Sequence, residues 1–239
     1  MLLKLWMVLF FLLIPSLAFA WGPLTHIYLG NEIYYLGPLL PAWVFNLLKR
    51  YRQDYLYGNL IADIILAKNL LPAEKNSHSW EVALSLFESA KSSSEKAFSL
   101  GYVSHLAADT VAHGRYTPNR KNIEHTFLEL RADSLVDRRY WVQAIRIDKE
   151  IQSRNDTFLE KSLERVIFSF KTNKRIFRGM LFLSILNRER FGDFIDRNLI
   201  ISVKKEDIKK LHEESLDRII DILRNGNRSA VLKKNPIAR

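Results

Sequence analysis

An all-α fold is predicted by three features of this 239-residue chain. Apolar residues recur at helical spacing in segment after segment, and few stretches alternate with the period of two that marks a strand. Helix breakers are sparse, with nine glycines and seven prolines. Between Gly101 and Gly114, His105, Asp109 and His113 stand at i, i+4 and i+8. On a helix those positions stack along one face, about 6 Å apart per step. Composition is ordinary for a globular protein, with 48% hydrophobic and 26% charged residues. We expect a single multi-helix domain over residues 21–224, a leader over 1–20 and a basic C-terminal tail over 225–239.

The leader reads as a secretory signal peptide. Lys4 supplies a short positive region, Leu5 to Ile14 is an apolar run, and Ala18-Phe19-Ala20 is an A-x-A cleavage signature. The run is shorter than the roughly 20 residues that a membrane-spanning helix needs; an uncleaved anchor is the other reading. Cleavage opens the mature chain at Trp21 and implies an exported, periplasmic or secreted protein. Loss of Lys4 takes the formal charge from +10 to +9. There is no cysteine, so no disulfide supports an exported domain, and any bound metal must be held by His, Asp or Glu. The basic balance suits anionic partners: phospholipid headgroups, envelope polymers or nucleic acid.

In the mature chain, Thr25 is a candidate N-cap for a helix through Ile27 and Ile33, with His26 in its first turn. A free amine and carbonyl on Trp21 would add two donors near that histidine. A second helix is expected after Pro41. The segment from Tyr34 to Arg50 is aromatic and apolar with a basic end, which suits either core or a membrane interface. Asp63 stands inside an apolar run, where a carboxylate needs a metal, an arginine or a helix N-terminus. His78 precedes an expected helix from Glu81 to Ala90, as a ligand or as an exposed loop residue. Lys91 to Ser94 is a polar connector. The helix that follows, from about Glu95 to Ala112, has Gly114 as its stop.

In the next helix His125 and Glu129 stand at i and i+4, either a two-ligand clamp or a surface pair. Glu124 and Asp133 are candidate outer partners that would fix histidine tautomers. Beyond Tyr140 helical patterns recur near Phe158–Phe170, Ile176–Leu186, Phe191–Leu199 and Lys205–Leu223. His212 lies among Lys209, Lys210, Glu213 and Glu214, which reads as a solvated face. The end of the chain reads as frayed. Five of the six histidines fall between Trp21 and Glu129. That clustering, in a chain without cysteine, favours a metal site over separate core histidines.

Taken in order, these motifs resemble the zinc-dependent phospholipase C superfamily. The matching set is the Trp-Gly-x-x-Thr-His start, Gly58-Asn59 with Asp63, His78, His105-x-x-x-Asp109-x-x-x-His113, and His125-x-x-x-Glu129. The superfamily includes bacterial phospholipases C, and the catalytic domain of glycosylphosphatidylinositol-specific phospholipase D is similar. The single-strand-specific zinc nucleases are more distant. The resemblance covers roughly Trp21 to Tyr140.

It implies an all-α enzyme with three zinc ions. One would be held by the Trp21 amine and carbonyl, His26 and Asp109. Another would be held by Asp63, His78, His105 and a bridging Asp109, and the last by His113, His125 and Glu129. It also implies Asp63 as the residue that orients or deprotonates the attacking water. The short gap from Asp109 to His113 is nearer the phospholipase D-like branch. The expected activity is hydrolysis of phospholipid headgroup phosphoesters at a membrane surface. The alternatives are a nuclease with the same metal site, or a non-catalytic, metal-stabilised envelope protein that binds anionic lipid.

Overall fold

A computed structural model describes residues 21–64, 77–116, 131–162, 174 and 204–236. Every regular element among them is helical, with no strand. In chain order these are α1 (Pro23–Glu32), a 3-10 turn (Gly37–Leu39), α2 (Ala42–Arg50), and α3 (Arg52–Ile61) with a 3-10 turn at Ala62–Ile64. Next come α4 (Trp80–Ser89), and α5 (Ser93–Val111) running on as a π-helical turn, Ala112–Tyr116. α6 (Arg138–Ile145), α7 (Lys149–Ser162) and α8 (Lys205–Asn225) complete the helices, followed by 3-10 turns at Gly226–Arg228 and Ala230–Lys233. None of the described helices is long and apolar enough to cross a membrane.

The axis of the fold is α5. Its residues from Ala97 to Val111 are buried without a break, the pattern of a helix covered on all sides. Its start is set by a capping box: the Ser92 hydroxyl accepts from the Glu95 amide at 3.2 Å, and the Glu95 carboxylate accepts from the Ser92 amide at 2.8 Å. The helix therefore begins at Ser93, inside the segment expected to be a connector. At its other end Gly114 does not act as a stop. The chain continues through it as a π-helical turn, the kind of local widening that recurs near functional sites.

Helices α3, α4 and α8 pack around α5. Contact with α3 is backbone to backbone at two glycines. A Cβ on Gly58 would lie 2.1 Å from the Phe98 carbonyl oxygen, and one on Gly101 would lie 2.0 Å from that of Tyr55. Only glycine permits this approach, and it brings the Asn59–Asp63 segment against His105 and Asp109.

Three further sequence expectations are corrected. Thr25 is not an N-cap. Helix α1 starts earlier, with Pro23 in the first turn, where its missing N–H costs nothing. The capping acceptor comes from a distant segment: the Asp133 carboxylate accepts from the Leu24 amide (3.2 Å), the Thr25 amide (2.8 Å) and the Thr25 hydroxyl (2.8 Å). His212 is not solvated. It is 7% exposed and packs edge-on to Trp21 (5.1 Å between ring centres) and beside Tyr28 (5.5 Å). The helix carrying it folds back over α1 and α5, which its local charge pattern does not reveal. Nor do the described residues 226–236 fray. Val231 is buried, and the Trp80 indole donates to the Lys234 carbonyl at 2.8 Å.

Candidate metal centre

Four side chains from three places in the chain converge beside α5. Asp63 comes from the turn after α3, His78 from the loop before α4, and His105 and Asp109 from successive turns of α5. All four are buried, and one ligand atom from each lies within 4.8 Å of the others. His78 Nε2 is 3.1 Å from Asp63 Oδ1, 3.2 Å from Asp109 Oδ2 and 3.1 Å from His105 Nε2. His105 Nε2 is 3.2 Å from Asp109 Oδ2 and 3.6 Å from Asp63 Oδ1.

A tetrahedron with edges of this length has its centre about 2 Å from each corner, the bond length zinc takes to histidine nitrogen and carboxylate oxygen. Two imidazole nitrogens facing each other among carboxylates, with water excluded, form a donor set suited to a divalent cation. Both Asp109 oxygens are buried and lack a hydrogen bond of good geometry. The residues present therefore fit zinc.

The geometry around these atoms is held from outside. The His105 Nδ1–H donates to the Asn59 carbonyl at 2.8 Å, which directs Nε2 at the centre. His78 Nδ1 meets the Ser77 hydroxyl at 3.1 Å, and the Tyr102 hydroxyl donates to the Ser77 carbonyl at 2.5 Å. The α4 N-terminus is closed by Ser79, whose hydroxyl accepts from the Val82 amide at 3.1 Å. The loop that carries His78 is thus tied at both sides, and His78 is fully buried rather than exposed.

Asp109 faces two ways. While Oδ2 points at His78 and His105, Oδ1 lies 3.1 Å from His26 Nε2. His26 is itself buried and stacks on His105, with ring centres 3.6 Å apart. Its helix is the one capped by Asp133, so that carboxylate sets the position of His26 through the backbone.

Trp21 is fully buried, its indole N–H 3.1 Å from both the Ala108 carbonyl and the Ser215 hydroxyl. His113 is buried in the π-helical turn, outside the four-residue group. His125, Glu129 and Glu124 lie outside the described residues.

Electrostatics follow from burying two carboxylates together. Burial alone pulls an imidazole down, but Asp109 and Asp63 outweigh it and hold His105 up to about 10. His26, buried and stacked on that cation, is pulled down despite Asp109. Burial works to raise Asp109, and His105 and His26 overcome it, leaving the carboxyl well below its ordinary range.

Sequence comparison agrees with the site. The family model Zinc dependent phospholipase C matches residues 25–176. The chain belongs to the zinc-dependent phospholipase C family. No curated protein and no solved structure matches it. The family match includes His26, the four converging residues and Asp133, and stops short of α8. Sequence reasoning missed the Asn59 carbonyl, which has no side-chain signature. It assigned Asp133 to the surroundings of the site without finding its partner, α1.

Proposed function

We propose that this phospholipase C family member is an exported phosphodiesterase that hydrolyses phospholipid headgroup esters with zinc. The observation that carries the reading is the buried convergence of Asp63, His78, His105 and Asp109 in a chain that matches the family. Export rests on the leader pattern of residues 1–20, with Trp21 as the first mature residue. In the full reading three zinc ions are held. His26 and the Trp21 amine and carbonyl share Asp109 with the central group, and His113, His125 and Glu129 hold the last ion. The two-sided setting of Asp109, with His26 on one oxygen and His78 and His105 on the other, supports the shared role.

Bound zinc would supply positive charge to phosphate oxygens and acidify a water for attack on phosphorus. The chain's own residues do the positioning. Asn59 keeps the His105 Nδ1 proton on its carbonyl, so Nε2 is the nitrogen turned to the centre. Burial of the whole group excludes bulk water and strengthens each electrostatic interaction within it. Asp63 is the proposed base, its carboxylate orienting a water and taking its proton.

The test is metal content by elemental analysis on signal-cleaved protein, paired with hydrolysis of a short-chain phosphatidylcholine kept monomeric. Bound zinc together with release of a phosphorylated headgroup is expected. Replacing Asp63 with Asn should remove turnover. Zinc-loaded protein that leaves every phosphodiester offered intact would refute the enzymatic reading.

A further inference from the structure

The segment that joins α1 to α2 carries a contradiction of burial and residue type. Tyr35 is 74% exposed, Leu39 50% and Trp43 59%, although the same stretch buries Leu40, Val44 and Leu48 in the core. Three large apolar side chains thus face outward within nine consecutive residues, and exposed Pro38 and Ala42 fill the gaps between them. The chain has core positions available here and does not use them for these residues.

Exposed arginines stand at two edges of the patch. Trp43, Asn46 and Arg50 share the outer face of α2 at helical spacing, and all three are exposed. Arg139, on α6, donates to the Tyr140 hydroxyl at 3.0 Å, and that hydroxyl donates to the Glu32 carboxylate at 3.0 Å. The Glu32 carbonyl in turn accepts from the Tyr35 amide at 3.0 Å, so the start of α6 lies beside the segment that carries the patch. One turn on from Arg139, α6 adds exposed Val142. Over the whole chain the net charge is +10.

We infer that this face docks on an anionic bilayer surface, with Tyr35, Leu39 and Trp43 entering the headgroup region and Arg50 and Arg139 meeting lipid phosphates. Tryptophan and tyrosine favour that depth because their rings are apolar at one end and polar at the other. Arginine keeps its charged head in the headgroup layer while its stem lies along apolar surface. A protein partner of ordinary surface would have no reason to prefer this combination of aromatic wedge and flanking arginines, whereas an anionic membrane meets both parts. The inference rests on the phospholipid reading above and adds where the membrane is met.

The experiment uses full-length mature protein with vesicles of phosphatidylcholine, with and without phosphatidylserine. Wild type should co-sediment with the anionic vesicles, more weakly as salt is raised. Brominated acyl chains should quench part of its tryptophan emission, and Trp43→Phe should abolish that quenching. The variant Tyr35→Ser/Leu39→Ser/Trp43→Ser should partition at least about tenfold more weakly, and Arg50→Glu/Arg139→Glu should lose the preference for phosphatidylserine. All these positions are exposed, and circular dichroism with zinc content confirms that each variant folds.

Hydrolysis of monomeric short-chain phosphatidylcholine should be unchanged in the variants, while hydrolysis of vesicles falls. Wild-type protein that ignores anionic vesicles at low salt overturns the inference. So does a triple-serine variant that binds them normally, or one whose main change is loss of self-association in sedimentation velocity. Failure to hydrolyse monomeric lipid would instead count against the phosphodiesterase reading, leaving vesicle binding to be judged on its own.

Discussion

At the scale of single residues, Asp109 does the most. It sits in a continuously buried helix, with His26 on one oxygen and His78 and His105 on the other. In metal-free protein the compensating charge is a proton on His105, which Asp109 and Asp63 hold there up to about 10. Zinc must displace that proton to reach Nε2, so binding releases it. The sign follows: apparent zinc affinity rises with pH through the neutral range and falls in acid, by about tenfold per pH unit for each proton displaced. Isothermal titration in buffers of different ionisation enthalpy checks this by counting protons released. Asp109→Ala should hold zinc at least about 100-fold more weakly and should release fewer protons.

At the scale of elements, the site depends on how closely α3 and α5 approach. Gly58 and Gly101 let the two backbones touch, and that contact delivers the Asn59 carbonyl to His105 and Asp63 to Asp109. Gly101→Ala places a methyl 2.0 Å from the Tyr55 carbonyl, a backbone atom that cannot move alone. The helices must separate, and the expected loss of stability is about 3 kcal/mol or more. Urea unfolding followed by circular dichroism measures it, and zinc occupancy should fall in the same variant. An unchanged midpoint would show that the contact is looser than described. Helix α1 depends on a different device. Its N-terminus is capped by Asp133, whose carboxyl burial raises to about 6 even though Thr25 and Leu24 donate to it.

At the scale of the molecule, α8 is part of the domain although the family match ends at residue 176. It closes over α5 and α1, holding the Trp21 indole through Ser215 and Thr110 through Arg218 at 2.7 Å. His212 is the buried histidine of this contact, and burial with His26 nearby pulls it down to about 4. Its unfolded value is near 6.5, so the unfolded state takes up the proton first as pH falls. Stability is therefore full above about 6.5 and is lost progressively toward about 4, by roughly 3 kcal/mol in all. His212→Leu should remove that part of the acid sensitivity. The check is unfolding free energy at pH 7 and pH 4.5: wild type should lose roughly 2–3 kcal/mol more than the variant over that interval. Equal losses would place His212 in a site open to water.

The helical class, the family and most of the candidate ligands were legible in the sequence. Helical spacing sets which side chains share a face, so His105 and Asp109 were bound to stand together once α5 formed. An apolar run around Asp63 was bound to bury a carboxylate that needs a partner. What the tertiary structure decided is everything that depends on distant contact. The capping of α1 by Asp133, the Asn59 carbonyl on His105 and the burial of His212 under α8 arise between segments about 50 to more than 180 residues apart. No local pattern encodes them. Periodicity constrains a helix's own faces, whereas the partner of a face is chosen by packing across the whole core.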